Sequence, residues 1–176
     1  METRDLDRLV KININPFTAM HFKTDHTSEE LEAIFTEAAI NGDGDKIDRI
    51  LKNTVEIEIS LFESIMFMTK NDLTAFLSLI NKCGIRYEMK NFTKDLFEMD
   101  NLNELLNSLK DDDDNLSDEE RELVKDCFPN FKTKKEKATS IIKSIFTNNF
   151  TTDDVLDRIS EKGFESLNEF HKNILA

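Results

Sequence analysis

Few residue types in this chain could carry covalent or acid–base chemistry, and their spacing argues against it. The three histidines, His21, His26 and His171, have no partner at i, i+4 and no cysteine at metal-ligand spacing, so the zinc pattern is missing. His21 reads as a surface residue on a strand; work as an acid or base would need a carboxylate that the sequence does not arrange beside it. Cys83 and Cys127 fall in apolar helical surroundings, which predicts structural thiols and no disulfide framework. Four scattered glycines build neither a phosphate loop nor a dinucleotide fingerprint, and no nucleophile elbow is present. The reading is therefore non-enzymatic, with no cofactor implied.

Carboxylates are the remaining chemistry. Asn41, Asp43 and Asp45 alternate as calcium-loop ligands do, but Lys46 and Lys52 stand where such a loop needs Gly and Glu. A solvated turn between helices explains them better. A second run places Asp111, Asp113, Asn115, Glu119 and Glu122 at nearly the right offsets, yet Leu116 occupies the glycine position and Ser117 is better used as a helix cap. Residues 95–126 hold thirteen acids against Lys110, Arg121 and Lys125, and so carry −10 of the chain's −13. Residues 132–143 then reverse the sign with five lysines against Glu136. An acidic belt of this kind suits a basic protein partner, because opposite potentials speed encounter and suppress wrong partners. The contact residues it predicts are Asp111, Asp112, Asp113, Asp114, Glu119, Glu120 and Glu122. Glu56, Glu58, Arg86 and Glu88, on an open sheet face, are the second choice.

The elements that would position these groups follow from hydrophobic period. Residues 17–24 are β-rich, and Thr27-Ser28-Glu29-Glu30 reads as a capping box ahead of Leu31, Ile34, Phe35 and Ala38. Asn41-Gly42-Asp43-Gly44 interrupts, and Ile47, Ile50 and Leu51 resume the helical stripe. Residues 54–61 alternate, with Val55, Ile57, Ile59 and Leu61 expected inward and Glu56 and Glu58 outward. Residues 64–69 are apolar on both faces, as a central strand is. A helix over Leu73, Phe76, Leu77, Ile80 and Cys83 ends at Gly84, and residues 85–90 alternate again. The order β-α-β-β-α-β predicts an α+β protein with a ferredoxin-like domain at 10–95, its helices on one sheet face.

Residues 96–176 read as an acidic linker and a helical region. Leu102, Leu105, Leu106 and Leu109 form one stripe, and Ser117 and Thr133 open capping boxes for two further helices. Thr152 is expected to cap a helix carrying Val155, Leu156 and Ile159, which Gly163 closes. Ser166-Leu167-Asn168-Glu169 is expected to open the last helix, with Phe170 and Ile174 on its apolar side. That final hairpin, about 152–175, resembles the short cytosolic tail module of bacterial rhomboid-type proteases and of small bacterial proteins. Its pattern runs roughly D-x-hydrophobic-L-D-K-I-S-x-x-G-hydrophobic-x-S-L-T-x-x-E. This chain departs from it at Asn168 and His171, where Thr and a charged residue are usual. The resemblance implies a bacterial cytosolic origin and a docking role; the N-terminal part resembles no family.

Composition sets the outer limits. At 176 residues the chain is one domain, or one with an appendage. Its 39 % hydrophobic content and 14 Phe fit a folded chain rather than a disordered one. A net charge of −13 argues against direct nucleic-acid binding and against anionic lipid. Phe22 and Phe67 fall on the two central strands, but Glu56, Glu58 and Glu88 would repel phosphate from a stacking face. No apolar run reaches the ~18 residues of a membrane span, and METRDLDRLVKINI lacks the apolar core of a signal peptide, so a cytoplasmic protein is expected. The sum is a small acidic protein-binding factor: adaptor, inhibitor or immunity-type protein. The alternatives are a ligand-sensing regulatory module, or a nucleic-acid mimic toward a basic protein.

Overall fold

The computed structural model describes residues 16–109, 117–127 and 133–176. The chain divides into two compact units, the first ending at Leu96 and the second running from Phe97 to Ala176. Both belong to a mixed α+β architecture that is mostly helical.

The first unit is a four-stranded antiparallel sheet with helices on one face. Strand β1 (Phe17–Thr24) leads into α1 (Ser28–Ala38), a π-type turn (Ala39–Asp43) and α2 (Gly44–Asn53). Strands β2 (Val55–Ser60) and β3 (Glu63–Thr69) follow as a hairpin, then α3 (Lys70–Lys82) and β4 (Tyr87–Asn91). The spatial order is β2-β3-β1-β4, with every neighbouring pair antiparallel. The edges are thus the two strands whose sequences alternate. Thr27 caps α1 in a reciprocal box with Glu30, as its spacing predicts. The Asn41–Gly44 interruption is a kink at Gly42, whose φ of 116° only glycine adopts freely. Asp43 there holds Lys82 at 2.8 Å, tying the turn to the end of α3.

Pairing register decides which side chains face the helices. Phe22, Met66 and Met68 join Ile50, Phe76, Ile80 and Ile85 in one core, with Leu31, Ile34, Phe35, Tyr87 and Met89 packed around it. Ala19, Val55, Ile57, Ile65 and Phe67 occupy the opposite face and are equally buried. This corrects two expectations. Glu56 lies across from Met66 and Glu58 across from Ser64, so the glutamates of β2 stand on the helix side, where Ser28 donates to Glu58 at 2.9 Å. The expected inward set also breaks: the register shifts between Glu58 and Ser60, leaving Ile59 48 % and Leu61 65 % exposed. A bulge adds a residue to one strand and so resets its alternation.

The second unit is helical. After α4 (Thr93–Glu98), within which the division falls, come α5 (Leu102–Asn107), α6 (Asp118–Cys127), α7 (Lys134–Asn149), α8 (Thr152–Lys162), a 3-10 turn (Phe164–Ser166) and α9 (Glu169–Leu175). Helix α7 buries Ala138, Ile141, Ile142, Ile145 and Phe146 along one side, a stripe at the i, i+3, i+4 spacing of an amphipathic helix. Phe97 stacks on Phe150 at 4.2 Å and meets Phe146 at 5.7 Å; Phe170 packs on Phe146 at 5.4 Å. Ser117 and Thr133 cap α6 and α7 with Glu120 and Glu136, as expected. The last two helices begin elsewhere than expected. Thr151, not Thr152, caps α8, and Asn168, not Ser166, caps α9. Ser166 instead closes the 3-10 turn, its hydroxyl donating to the Gly163 carbonyl at 2.7 Å.

Candidate interaction surface

The expected acidic contact residues separate into two groups. Asp111, Asp112, Asp113 and Asp114 lie outside the described residues. Glu119, Glu120 and Glu122 lie on α6 and are exposed, together with Asp118 and Asp126. At 100° per residue, Asp118, Glu119, Glu122 and Asp126 fall within about 100° of arc, so they share one side of the helix. Glu120 does not join them. Its carboxylate turns back to accept the Ser117 N–H at 2.8 Å, while the Ser117 hydroxyl accepts the Glu120 N–H at 3.2 Å. Glu120 is therefore a capping residue, and Glu119 and Glu122 carry the surface charge.

Helix α6 presents its side chains to solvent. None of its side chains whose exposure is described is buried, and Leu123 is 63 % exposed at the border of the acidic side. Cys127 is exposed here too, against the expectation of an apolar setting; Cys83 is half-buried and both thiols are free.

The second-choice set does not assemble. Glu56 and Glu58 face the helices, whereas Glu88 pairs across from Lys23 on the opposite sheet face, and Arg86 precedes the strand. No open platform joins them. Phe22 and Phe67 also sit on opposite faces and are both buried, so neither offers a ring for a base to stack on.

His21 does have a carboxylate neighbour that the sequence did not reveal: Nε2 lies 3.6 Å from Glu63, which also stands 3.5 Å from Lys23. The register of the β1–β3 pair brings them together, two residues off direct opposition. All three are partly exposed. His26 lies 3.5 Å from both Asp25 and Glu30. Among the described residues no group of three or more His, Cys, Asp or Glu is arranged to hold a metal. A depression lined by Thr24, His26, Ser28, Glu56, Glu58 and Glu63 has room for about one water molecule.

Two residues to which the sequence reading gave no structural role, Arg158 and His171, organise the end of the chain. Arg158 takes a core position on α8 beside Val155, while Leu156, expected to pack, is half exposed. The guanidinium donates to Glu98 at 3.2 Å, to Asp100 at 2.9 Å and to the Ser166 carbonyl at 3.3 Å. His171 is fully buried at 0 % exposure. Its Nδ1 accepts the Asn168 N–H at 3.0 Å, so the ring proton belongs on Nε2, which donates to the Phe97 carbonyl at 2.8 Å. The Asn168 side chain in turn accepts the His171 N–H at 3.0 Å. The two departures from the tail-module pattern are thus partners in one capping box, an Asn and His doing what Thr and Glu do in T-x-x-E. Burial pushes the His171 pKa below the ordinary 6.5, the nearby Arg158 charge acting the same way and the Phe97 carbonyl and Glu98 opposing.

Comparison with protein-family models, curated proteins and solved structures finds no match to this chain. Among the described residues, no helix is long and apolar enough to cross a membrane.

Proposed function

We propose that this chain is a small acidic cytoplasmic protein-binding factor, of adaptor, inhibitor or immunity type, that holds a basic partner through residues 111–126. One observation carries the reading. Helix α6 presents Asp118, Glu119, Glu122 and Asp126 on one exposed side next to an exposed Leu123, and buries none of the side chains described on it. Of the side chains described on this helix, Val124 alone is partly buried and the rest are exposed, which leaves its acidic side open to solvent or to a partner. The charge of the adjoining Asp111–Asp114 run favours a partner. Imitation of nucleic acid is the sharpest form of this reading, since a row of carboxylates along one side offers a basic protein what phosphates do.

For the first unit we infer a ferredoxin-like arrangement, supported by the β2-β3-β1-β4 order and by helices packed on one face. The ligand-sensing alternative draws less support, because the depression beside α1 accommodates only about one water.

The test is capture of partners from native cytosol at low salt, with the contact then measured against salt. A basic protein should be released as salt rises past about 0.15 M, where the screening length falls to about 8 Å. Changing Asp111–Asp114 to Asn with Glu119→Gln and Glu122→Gln should weaken the complex tenfold or more, leaving Glu120 to hold its cap. Binding that ignores both salt and these substitutions would end the proposal.

A further inference from the structure

The C-terminal hairpin carries a second surface that the acidic belt does not explain. Helix α8 sends Val155 and Arg158 into the core. Taking 100° per residue, Leu156, Ser160 and Gly163 line up well away from that direction and form one stripe along the outer side. The stripe runs into Phe164, the first residue of the 3-10 turn. Leu156 is 50 % and Phe164 61 % exposed, and a Cβ built on Gly163 would meet nothing within 4 Å. Leu156 and Phe164 are thus two apolar side chains left in solvent at the two ends of this outer side.

Beside this stripe runs a row of charge. Asp153, Asp157 and Glu161 follow one another at i, i+4 spacing on the side away from the core, and all three are exposed. Like charges at this spacing repel and weaken a helix slightly. Among the described residues no Lys or Arg lies within 4 Å of any of them, although Lys162, on the core side, is shared between Glu98 and Asp100. An outer side with small residues between two exposed apolar side chains, edged by an unpaired acidic row, is complementary to one kind of occupant.

We infer that the outer side of α8, with Phe164, docks a cationic amphipathic helix of another protein. Its apolar residues cover Leu156 and Phe164, and its Lys or Arg residues meet Asp153, Asp157 and Glu161. A second copy of this chain fits less well. A twofold contact would set this acidic row against its own copy, and like charges brought face to face cost affinity.

The experiment uses the full chain and two synthetic 16-residue peptides of the same leucine and lysine content. One has its leucines on a single helical side; in the other they are scattered. Fluorescence anisotropy should show the amphipathic peptide binding at least tenfold more tightly than the scattered one. Leu156→Ser, Phe164→Ser and Ser160→Lys should each remove that preference. Asp157→Asn with Glu161→Gln should reduce its dependence on salt. Substituting Asn at Asp111–Asp114 should leave the preference intact, which separates this surface from the belt. Equal binding of both peptides, or a preference that survives Phe164→Ser and Ser160→Lys, overturns the inference. So does a chain that sediments as a dimer and becomes monomeric on Phe164→Ser, since the occupant is then a second copy. Ser160→Lys removes no packed atom, so its result stands even if an apolar truncation disturbs folding.

Discussion

His171 and Arg158 show how single polar side chains can specify a helical core. Arg158 is buried, but the carboxylates it holds are not: Glu98 is 45 % and Asp100 76 % exposed. The guanidinium therefore keeps its partners in contact with water, which limits the desolvation that makes fully buried pairs costly. Its Nε has no partner, a residual cost of seating an arginine there. His171 is the more sensitive of the two. Both ring nitrogens are committed, Nδ1 as acceptor and Nε2 as donor, so a second proton must displace the Asn168 N–H from Nδ1. Its folded pKa lies below the unfolded 6.5, so the unfolded chain takes up the proton first. Stability is then complete above about pH 6.5 and falls as pH drops through that value, by up to about 1.4 kcal/mol per pH unit for one proton. Urea midpoints between pH 8 and 5.5 should show this slope, and amide exchange should place the opening at Asn168–Lys172. His171→Gln keeps an acceptor for the cap but cannot titrate. It should lower the midpoint at pH 8 and flatten the slope; an unchanged slope would show that His171 is not the group responsible.

At the level of elements, the chain's turns depend on a few conformations that glycine alone supplies, and two glycines make opposite predictions. Gly163 ends α8 at φ 86°, ψ 162°, a region closed to other residues although space for a side chain is free. Gly163→Ala should cost about 1–3 kcal/mol from backbone strain. Gly44 has helical angles, and its added Cβ would meet only ordinary contacts, the nearest at 3.5 Å. Gly44→Ala should be neutral or stabilise by up to about 1 kcal/mol. Thermal denaturation of both variants tests the pair; a tolerated Gly163→Ala would show that the hairpin turn adapts. The signals legible in the sequence were of this local kind. The boxes at Thr27, Ser117 and Thr133, the kink at Gly42 and the alternating edge strands each depend on neighbours a few residues away. What was not legible depended on distant partners. The side on which Glu56 and Glu58 fall follows from register with β3 and a bulge at its end. Leu156 lost its core place because Arg158 finds Glu98, Asp100 and the Ser166 carbonyl, a set no local pattern displays. The α9 box escaped notice because histidine stands where glutamate is the usual signal.

For the whole molecule, charge links stability and binding, and it does so with opposite signs. Of the net −13, residues 95–126 hold −10, so repulsion is concentrated in one stretch of sequence rather than spread over the surface. Such repulsion opposes the folded state at low ionic strength, and salt relieves it by shortening the screening length from about 30 Å at 0.01 M to less than 8 Å above 0.15 M. The free chain should therefore gain stability as salt rises from 0.01 to 0.3 M. A gain of about 1 kcal/mol would raise Tm by roughly 2–4 °C for a chain of this size. Asparagine at Asp111–Asp114 should raise Tm at low salt and reduce the response, because four of the stretch's thirteen acidic charges are gone. The complex with a basic partner should behave in reverse, weakening over the same range and weakening further with the same substitutions. Measuring Tm and affinity on one salt series makes this decisive. Opposite trends, both diminished by the asparagine variant, attribute them to a single set of carboxylates. A Tm that ignores salt while affinity falls would place the charge that matters on the partner. A Tm that rises while affinity stays level would leave the acidic stretch with a purely solvating role.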